Sequence, residues 1–438
     1  MNSQPAALTR SPEAFDQAAL PPAEAEPPAS TERSFLLPGL HFSESIDADQ
    51  NASPVAATRS VTRALGSLEL FRIWKHARSS AEYVGGEAIY SDSGRGDRQL
   101  QQLQADQSFL WRTGKLALHD SFSFLPDGSF GNTSFGGAAG YEASGLGGLT
   151  PGLGASGSEE GASGFEEIGT LGRDLRLNNV TMLALSQEVT PRSAATISGA
   201  YGLLHFTGNT RGLIDSQLAS AQASYSYKLG HRDEIGFASG FQDFHYPRAG
   251  VGGFESFSER VQYSRQISGH LQFAVSGGPQ LVILHHPGSA DSHRVAASGH
   301  ALLTYHFVRT TLSVSYNRHI TSGSGFFAGA TSDIARFIVQ RPVRRRWEVT
   351  ADLGYARSGR IQPGISGVNS GSYQFGYAGA GVHHEMGRHL RAFFSYQFSG
   401  IDFGGSQCSV AGAACGQFAQ RHIATMGLDW HPKAIPLD

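Results

Sequence analysis

Apolar and polar side chains alternate with a period of two residues over much of the chain. The clearest stretch runs from residue 271 to residue 283, where the apolar positions are Leu271, Phe273, Val275, Leu281 and Ile283. The positions between them include Gln272, Ala274, Ser276, Gly278 and Gln280. Because successive side chains of a strand point to opposite faces, this pattern predicts a strand with one apolar and one polar face. The pattern recurs toward the C-terminus and predicts an all-β protein.

The connectors between the predicted strands fall into two alternating classes. Short turns such as Thr113-Gly114 and Ser268-Gly269 alternate with longer Gly- and Ser-rich links such as 207–216 and 358–371. This alternation is typical of barrels that cross a membrane, where every backbone group must be paired within the protein. We predict a single closed antiparallel transmembrane β-barrel of about 16 strands, with its apolar faces outward. A sandwich of two sheets, with the apolar faces pressed together, is the alternative.

The organisation along the chain is predicted from shifts in composition. Residues 1–64 are rich in Pro, Ala, Ser and Glu without periodicity and are expected to be disordered. The apolar segment 65–79 is expected to form a short helix or strand before the barrel. We place the barrel at 80–430 and a C-terminal tail at 431–438. The Gly-rich link 126–174 is expected to be a surface loop on the outer rim, or to fold inward and narrow the lumen.

Composition and charge narrow the classes of protein. Apolar residues make up 40% and charged residues 16% of the chain, and both values are low for a globular protein. A membrane barrel explains both, since its inner positions contact water and its outer positions need no charge. The net charge of −3 gives no support for nucleic-acid binding. No signal peptide is visible, and we expect a misplaced start codon or a removed signal rather than a protein that stays inside the cell.

The polar positions of the strands are the candidates for lining a lumen. An arginine or lysine side chain at the bilayer mid-plane costs about 2–4 kcal/mol, and carboxylates toward hydrocarbon are also costly, so the charged members of the alternating strands should face water. Their mixed signs predict a transverse field and weak ion preference. The predicted lumen-lining residues are Gln262, Ser264, Gln272, Gln280, His300, Thr304, Ser313, Asn317, Glu348, Thr350, Asp352 and Arg391.

Some predicted outward faces carry charged residues. Glu259 and Arg265 share a face with apolar residues, and Asp120 and Asp243 interrupt other apolar faces. Such residues would lie above the membrane or contact a second subunit, or else the strand register is different there.

The two cysteines, Cys408 and Cys415, lie in a Gly- and Ala-rich link between two predicted strands. Their short spacing in a loop predicts a disulfide that closes a surface hairpin in an oxidising compartment. Two free buried thiols are the alternative, and the spacing matches no zinc motif.

Catalytic and cofactor motifs are not evident in the sequence. There is no nucleophile elbow, P-loop or zinc-type cluster, and the adjacent pairs His285-His286 and His383-His384 would point to opposite sides of a strand. We therefore predict no metal, no cofactor and no enzymatic activity. An outer-membrane esterase, the minor alternative, would need a serine close to a histidine.

The last predicted strand carries a family resemblance. Ala424, Met426, Leu428 and Trp430 lie on one face of the segment that ends at the aromatic Trp430. This resembles the closing strand of Gram-negative outer-membrane β-barrels of the porin-like type. The resemblance implies location in the outer membrane, contact with its lipids and recognition by the barrel-assembly machinery. The tail 431–438 departs from the family pattern, in which the chain often stops at the aromatic residue.

The predicted function is a passive aqueous pore for small polar solutes or a polysaccharide, and association into a homo-oligomer is compatible with this function. One alternative is a closed or plugged barrel that displays Gly-rich extracellular loops for adhesion or as an envelope scaffold. Another is a secreted, water-soluble β-rich protein.

Overall fold

The structure is a computed structural model of the full chain. It describes residues 34–50, 57–91, 98–125, 176–207, 213–247, 252–286, 288, 290–323, 327–362, 371–402, 408–410, 413–415 and 418–437. No helix among these residues is long and apolar enough to span a membrane.

The described residues form a series of long strands joined alternately by short and long connectors. The strands are β1 Phe35–Gln50, β2 Ala57–Trp74, β3 Ala77–Tyr90, β4 Arg98–Trp111, β5 Gly114–Leu125, β6 Arg176–Thr190, β7 Ser193–Phe206, β8 Ser216–Lys228, β9 Asp233–His245, β10 Phe254–Gln266, β11 Leu271–Leu284, β12 Ser292–His306, β13 Thr311–Thr321, β14 Ala330–Arg344, β15 Trp347–Arg360, β16 Ser372–Glu385, β17 Leu390–Asp402, β18 Cys408–Val410, β19 Ala413–Cys415, β20 Phe418–Trp430 and β21 Ile435–Pro436.

The main strands close into one antiparallel barrel. Each strand from β1 to β16 pairs with the next one, and β20 pairs with both β17 and β1. In the closing pair, Leu40 of β1 lies opposite Trp430 of β20. The ring therefore has 18 strands among the described residues, and β21 extends it by pairing with the start of β1. This confirms the prediction of a single closed antiparallel barrel.

The predicted count of about 16 strands is too low. The missing strands are β1 and β2, so the prediction of disorder over 1–64 is wrong for residues 35–50 and 57–64. The prediction of a short pre-barrel element over 65–79 is also wrong, because Leu65 to Trp74 complete β2 and residues 77–79 begin β3. The outer face of β1 is broken by Glu44, which obscured its alternation. Residues 1–33 lie outside the described part of the chain.

Side-chain exposure shows which face of the strands is outside. On β1, Leu40, Phe42 and Ile46 are each more than half exposed, whereas the alternate residues His41 and Asp47 are buried at 5% and 1% exposure. Large apolar side chains are exposed on the same side of other strands around the ring. The apolar faces therefore form the outer surface, which contradicts a sandwich in which they would pack together.

All four tryptophans lie at one rim of the barrel. Three of them, Trp74, Trp111 and Trp347, are the strand residues next to a short turn. The fourth, Trp430, pairs with the first residue of β17, which also follows a short turn. We call this end the short-turn rim and the opposite end the long-loop rim. Each tryptophan is 42–45% exposed, on the outer surface. Indole rings favour the headgroup region of a bilayer, so the tryptophans indicate where one membrane interface crosses the barrel.

Candidate functional site: the inner wall of the barrel

The structure places every predicted lumen-lining residue on the inner face of its strand. Rows of directly paired residues connect them across neighbouring strands. One row joins Gln272, Thr304 and Ser313, and another includes His300 and Asn317. That these side chains line a conducting lumen stays a prediction.

Asp352 lies at the centre of one polar cluster on this wall. Its carboxylate is fully buried and accepts hydrogen bonds from Arg336 Nη2 at 2.8 Å and from Tyr377 Oη at 3.0 Å. Gly354 faces Tyr377 on the neighbouring strand, and a side chain at position 354 would collide with the Tyr377 ring. The glycine therefore leaves the space that Tyr377 needs to reach Asp352.

A second polar cluster joins the first and last strands of the ring at what we call the seam, the pairing of β20, β1 and β2. Asp47 accepts hydrogen bonds from Arg59 Nε at 2.8 Å and from Arg421 Nε at 3.0 Å. All three side chains are at most 7% exposed. Two guanidinium groups thus share the Asp47 carboxylate, one from each strand that pairs with β1.

The seam also holds a row of residues nearer the short-turn rim. His41 of β1 lies directly opposite Asp429 of β20, and its Nδ1 is 3.0 Å from Asp429 Oδ1. Its Nε2 is 2.8 Å from Ser67 Oγ of β2. Arg391, a predicted lumen-lining residue, donates from Nε to Asp429 Oδ2 at 3.1 Å. Ser67, His41 and Asp429 were not predicted from the sequence, although β1 does alternate apolar residues with His41, Ser43, Ser45 and Asp47.

The long-loop rim carries apolar clusters that were not predicted. Phe327, from the link between β13 and β14, packs with Tyr373 and Phe375 of β16. A neighbouring cluster contains Phe244 and Phe254, whose stacked ring centroids are 4.4 Å apart. Since the β16 residues and both of these phenylalanines lie on inner strand faces, the link residues that pack against them turn inward. We call the two clusters together the loop cap.

Hydrogen bonds between different links hold the loop cap together. Tyr246 Oη donates to the carbonyl of Ser322 at 3.1 Å, and Gln362 Nε2 donates to the carbonyl of Gly252 at 2.8 Å. Gly329 has a φ of 89°, and a side chain there would collide with the Phe254 ring. The inward fold predicted as one possibility for the link 126–174 concerns residues that all lie outside the described part of the chain, whereas the described loop cap comes from other links.

The charged residues that the alternation of the sequence assigns to outer strand faces also lie on outer faces in the structure. Glu259 accepts a hydrogen bond from Ser239 Oγ at 2.7 Å, and Asn179 and Thr181 donate to Asp120. These outward carboxylates therefore have polar partners on neighbouring strands of the same chain.

The remaining candidates are located as follows. Cys408 and Cys415 face each other across the small hairpin of β18 and β19, a register compatible with the short Cα separation of a disulfide, which stays a prediction. His383 faces inward, while His384 stacks outside on Trp347.

In the described part of the chain, no group of three or more His, Cys, Asp or Glu residues is arranged to hold a metal ion. The residues proposed as an assembly signal, Ala424, Met426, Leu428 and Trp430, share the outer face of β20.

A closed ring of 18 antiparallel strands with an apolar exterior and a polar inner wall meets the requirements of a bilayer. The chain folds as a closed antiparallel β-barrel of the transmembrane type. Its fold is established by the strand pairing and the exposure pattern.

Comparison with known proteins gives matches among solved structures only. No family model matches the chain, and no curated protein matches it. The chain is similar to Pseudomonas aeruginosa OpdQ, with 9% identity and a TM-score of 0.43 over 92% of this chain and 98% of that one. It is similar to Pseudomonas aeruginosa OccK2 (OpdF), with 8% identity and a TM-score of 0.46 over 91% and 99%. Acinetobacter baumannii OccAB4 matches with 6% identity and a TM-score of 0.43 over 92% and 99%.

Proposed function

We propose that the protein is a passive pore through which small polar solutes cross the outer membrane of a Gram-negative bacterium. The observation that carries this proposal is the polar inner wall of an 18-stranded ring. Barrels of 16–18 strands are wide enough to leave an aqueous channel, whereas 8-stranded barrels are filled by their own side chains. Diffusion through such a channel requires no cofactor and no catalytic group.

The loop cap supports a pore for small solutes rather than for a polysaccharide. Phe327 and its aromatic partners occupy the inner side of β14–β17, and Phe244 and Phe254 occupy that of β9 and β10. The seam, with Asp47, Arg59 and Arg421, carries one of the two ionic clusters described on the wall. We therefore place the solute path along the seam, because neither cluster of the loop cap contains a described residue of β20, β1 or β2.

The proposal also includes the partners of the protein in the cell, which we infer from the same architecture. The outer face would contact outer-membrane lipids, and the closing strand β20 would be read by the barrel-assembly machinery. A plugged barrel that displays its long loops is the competing function, and the loop cap is the observation that favours it.

Single-channel recording in planar bilayers tests the pore. We expect stepwise ionic currents from the purified, folded protein and none from the same preparation after heat denaturation. Trimming of the link 126–174 separates the two functions: a changed conductance indicates a loop near the path, whereas loss of binding to cells or envelope partners indicates display. A folded protein that never conducts would refute the pore.

A further inference from the structure

A continuous hydrogen-bonded chain of a serine, a histidine and an aspartate crosses the seam. Ser67 Oγ is 2.8 Å from His41 Nε2, and His41 Nδ1 is 3.0 Å from Asp429 Oδ1. The three residues come from β2, β1 and β20, which are neighbours in the ring. All three lie on the inner face, because the alternate residues Leu40, Leu68 and Trp430 are exposed on the outer face.

This order of groups is the one used to activate a serine hydroxyl. With Nδ1–H donating to the aspartate, Nε2 is left to accept the proton of the serine hydroxyl. Asp429 is 0% and His41 5% exposed, so their contact is shielded from water. Arg391 Nε binds the second oxygen of Asp429 and holds the carboxylate in place. Ser67 itself is only half-buried.

The space beside the serine admits a second imidazole, that of His431, because the partner of Ser67 on β1 is a glycine. Gly39 lies directly opposite Ser67, and a Cβ at position 39 would collide with the Ser67 hydroxyl and lie 2.8 Å from His431 Nδ1. The His431 ring meets the His41 ring edge-on, with centroids 5.3 Å apart. Burial lowers the pKa of His431, which keeps its imidazole neutral near neutral pH. A neutral imidazole next to this space can donate an N–H to a developing oxyanion.

We propose that Ser67, His41 and Asp429 form a nucleophilic triad that hydrolyses small, short-chain carboxylic esters inside the lumen. Ser67 Oγ attacks the ester carbonyl while its proton passes to His41 Nε2. The bond to the alcohol oxygen breaks, and the alcohol leaves with the proton from His41. Water then attacks the acyl-Ser67 ester and gives its proton to His41, and the acid is released as Ser67 Oγ regains a proton. Asp429 is a positioning residue that stabilises the imidazolium.

Covalent labelling of the folded protein tests the triad. We expect phenylmethanesulfonyl fluoride to modify Ser67, with the site identified by mass spectrometry, and p-nitrophenyl acetate to be hydrolysed. Ser67→Ala should abolish both, and His41→Gln should slow them about 100-fold or more, the usual range for a lost general base. In Asp429→Asn, kcat should fall while KM is unchanged, which a purely structural role would not produce.

Ser43→Ala is the matched control, since Ser43 is a buried inner-face serine two residues from His41 on the same strand. It should leave labelling and hydrolysis at the wild-type rate. A folded wild-type protein without modification at Ser67 would overturn the triad, and so would equal labelling of the wild type and His41→Gln. The inference rests on solutes reaching the lumen. A preparation that conducts but is not labelled therefore rejects the triad alone, and one that is labelled but does not conduct rejects the pore alone.

Discussion

Replacement of Asp47 by alanine should destabilise the barrel by about 3–5 kcal/mol, the usual result of removing one partner from a buried ion pair. Arg59 and Arg421 both bind this carboxylate and are nearly inaccessible to water. Without Asp47, two buried guanidinium groups would lie next to each other with no shared counter-charge. Because Arg421 belongs to β20 and Asp47 to β1, the loss falls on the strand pair that closes the ring. Urea-induced unfolding in detergent micelles, followed by tryptophan fluorescence, measures the change.

Asp291→Ala is the control for this effect. Asp291 also forms an ion pair, with His285 Nδ1 at 3.1 Å, but its side chain is 49% exposed. Exposed pairs contribute roughly 0–1 kcal/mol, so the unfolding midpoint should hardly move. Equal destabilisation by the two substitutions would contradict the role assigned to the Asp47 cluster.

Leu183→Arg should reduce the stability of the membrane-inserted barrel by about 2–4 kcal/mol, as expected for a cation turned toward the middle of a bilayer. Leu183 lies near the middle of β6 and its side chain is 49% exposed on the outer surface. In a bilayer this exposed surface contacts acyl chains, which cannot solvate a guanidinium group. Reversible unfolding from lipid vesicles measures the cost.

Ala184→Arg provides the comparison, because the next residue of the same strand faces the inner wall. There the new guanidinium reaches water in the lumen, and the loss of stability should be clearly smaller. If the two variants lose the same stability, the assignment of inner and outer faces in this strand is wrong.

The sequence predicts the wall of the barrel best where alternation is unbroken. Strands β11 and β15 keep apolar and polar residues strictly separate for most of their length, so their inner residues could be named without coordinates. Strand β1 carries Glu44 on its outer face, where Thr62 of β2 donates a hydrogen bond to it. That contact depends on strand pairing, which a local pattern does not reveal, and β1 was missed for this reason.

The functional clusters depend on contacts between distant parts of the chain. His41 and Asp429 are 388 positions apart and meet only because the last strand pairs with the first. The loop cap was missed for a different reason. Tyr373 and Phe375 alternate with other residues as any strand does, but periodicity alone does not say that an aromatic row faces inward near a rim.

Fluorescence quenching by brominated lipids shows whether the apolar faces of the strands contact acyl chains. The four tryptophans are exposed on the outer surface at the short-turn rim, so they should lie at the level of the headgroups. In vesicles, bromines near the carbonyl end of the acyl chains should quench tryptophan emission most strongly, and bromines near the chain ends only weakly. Emission that is unaffected by brominated lipids at any depth would contradict the account.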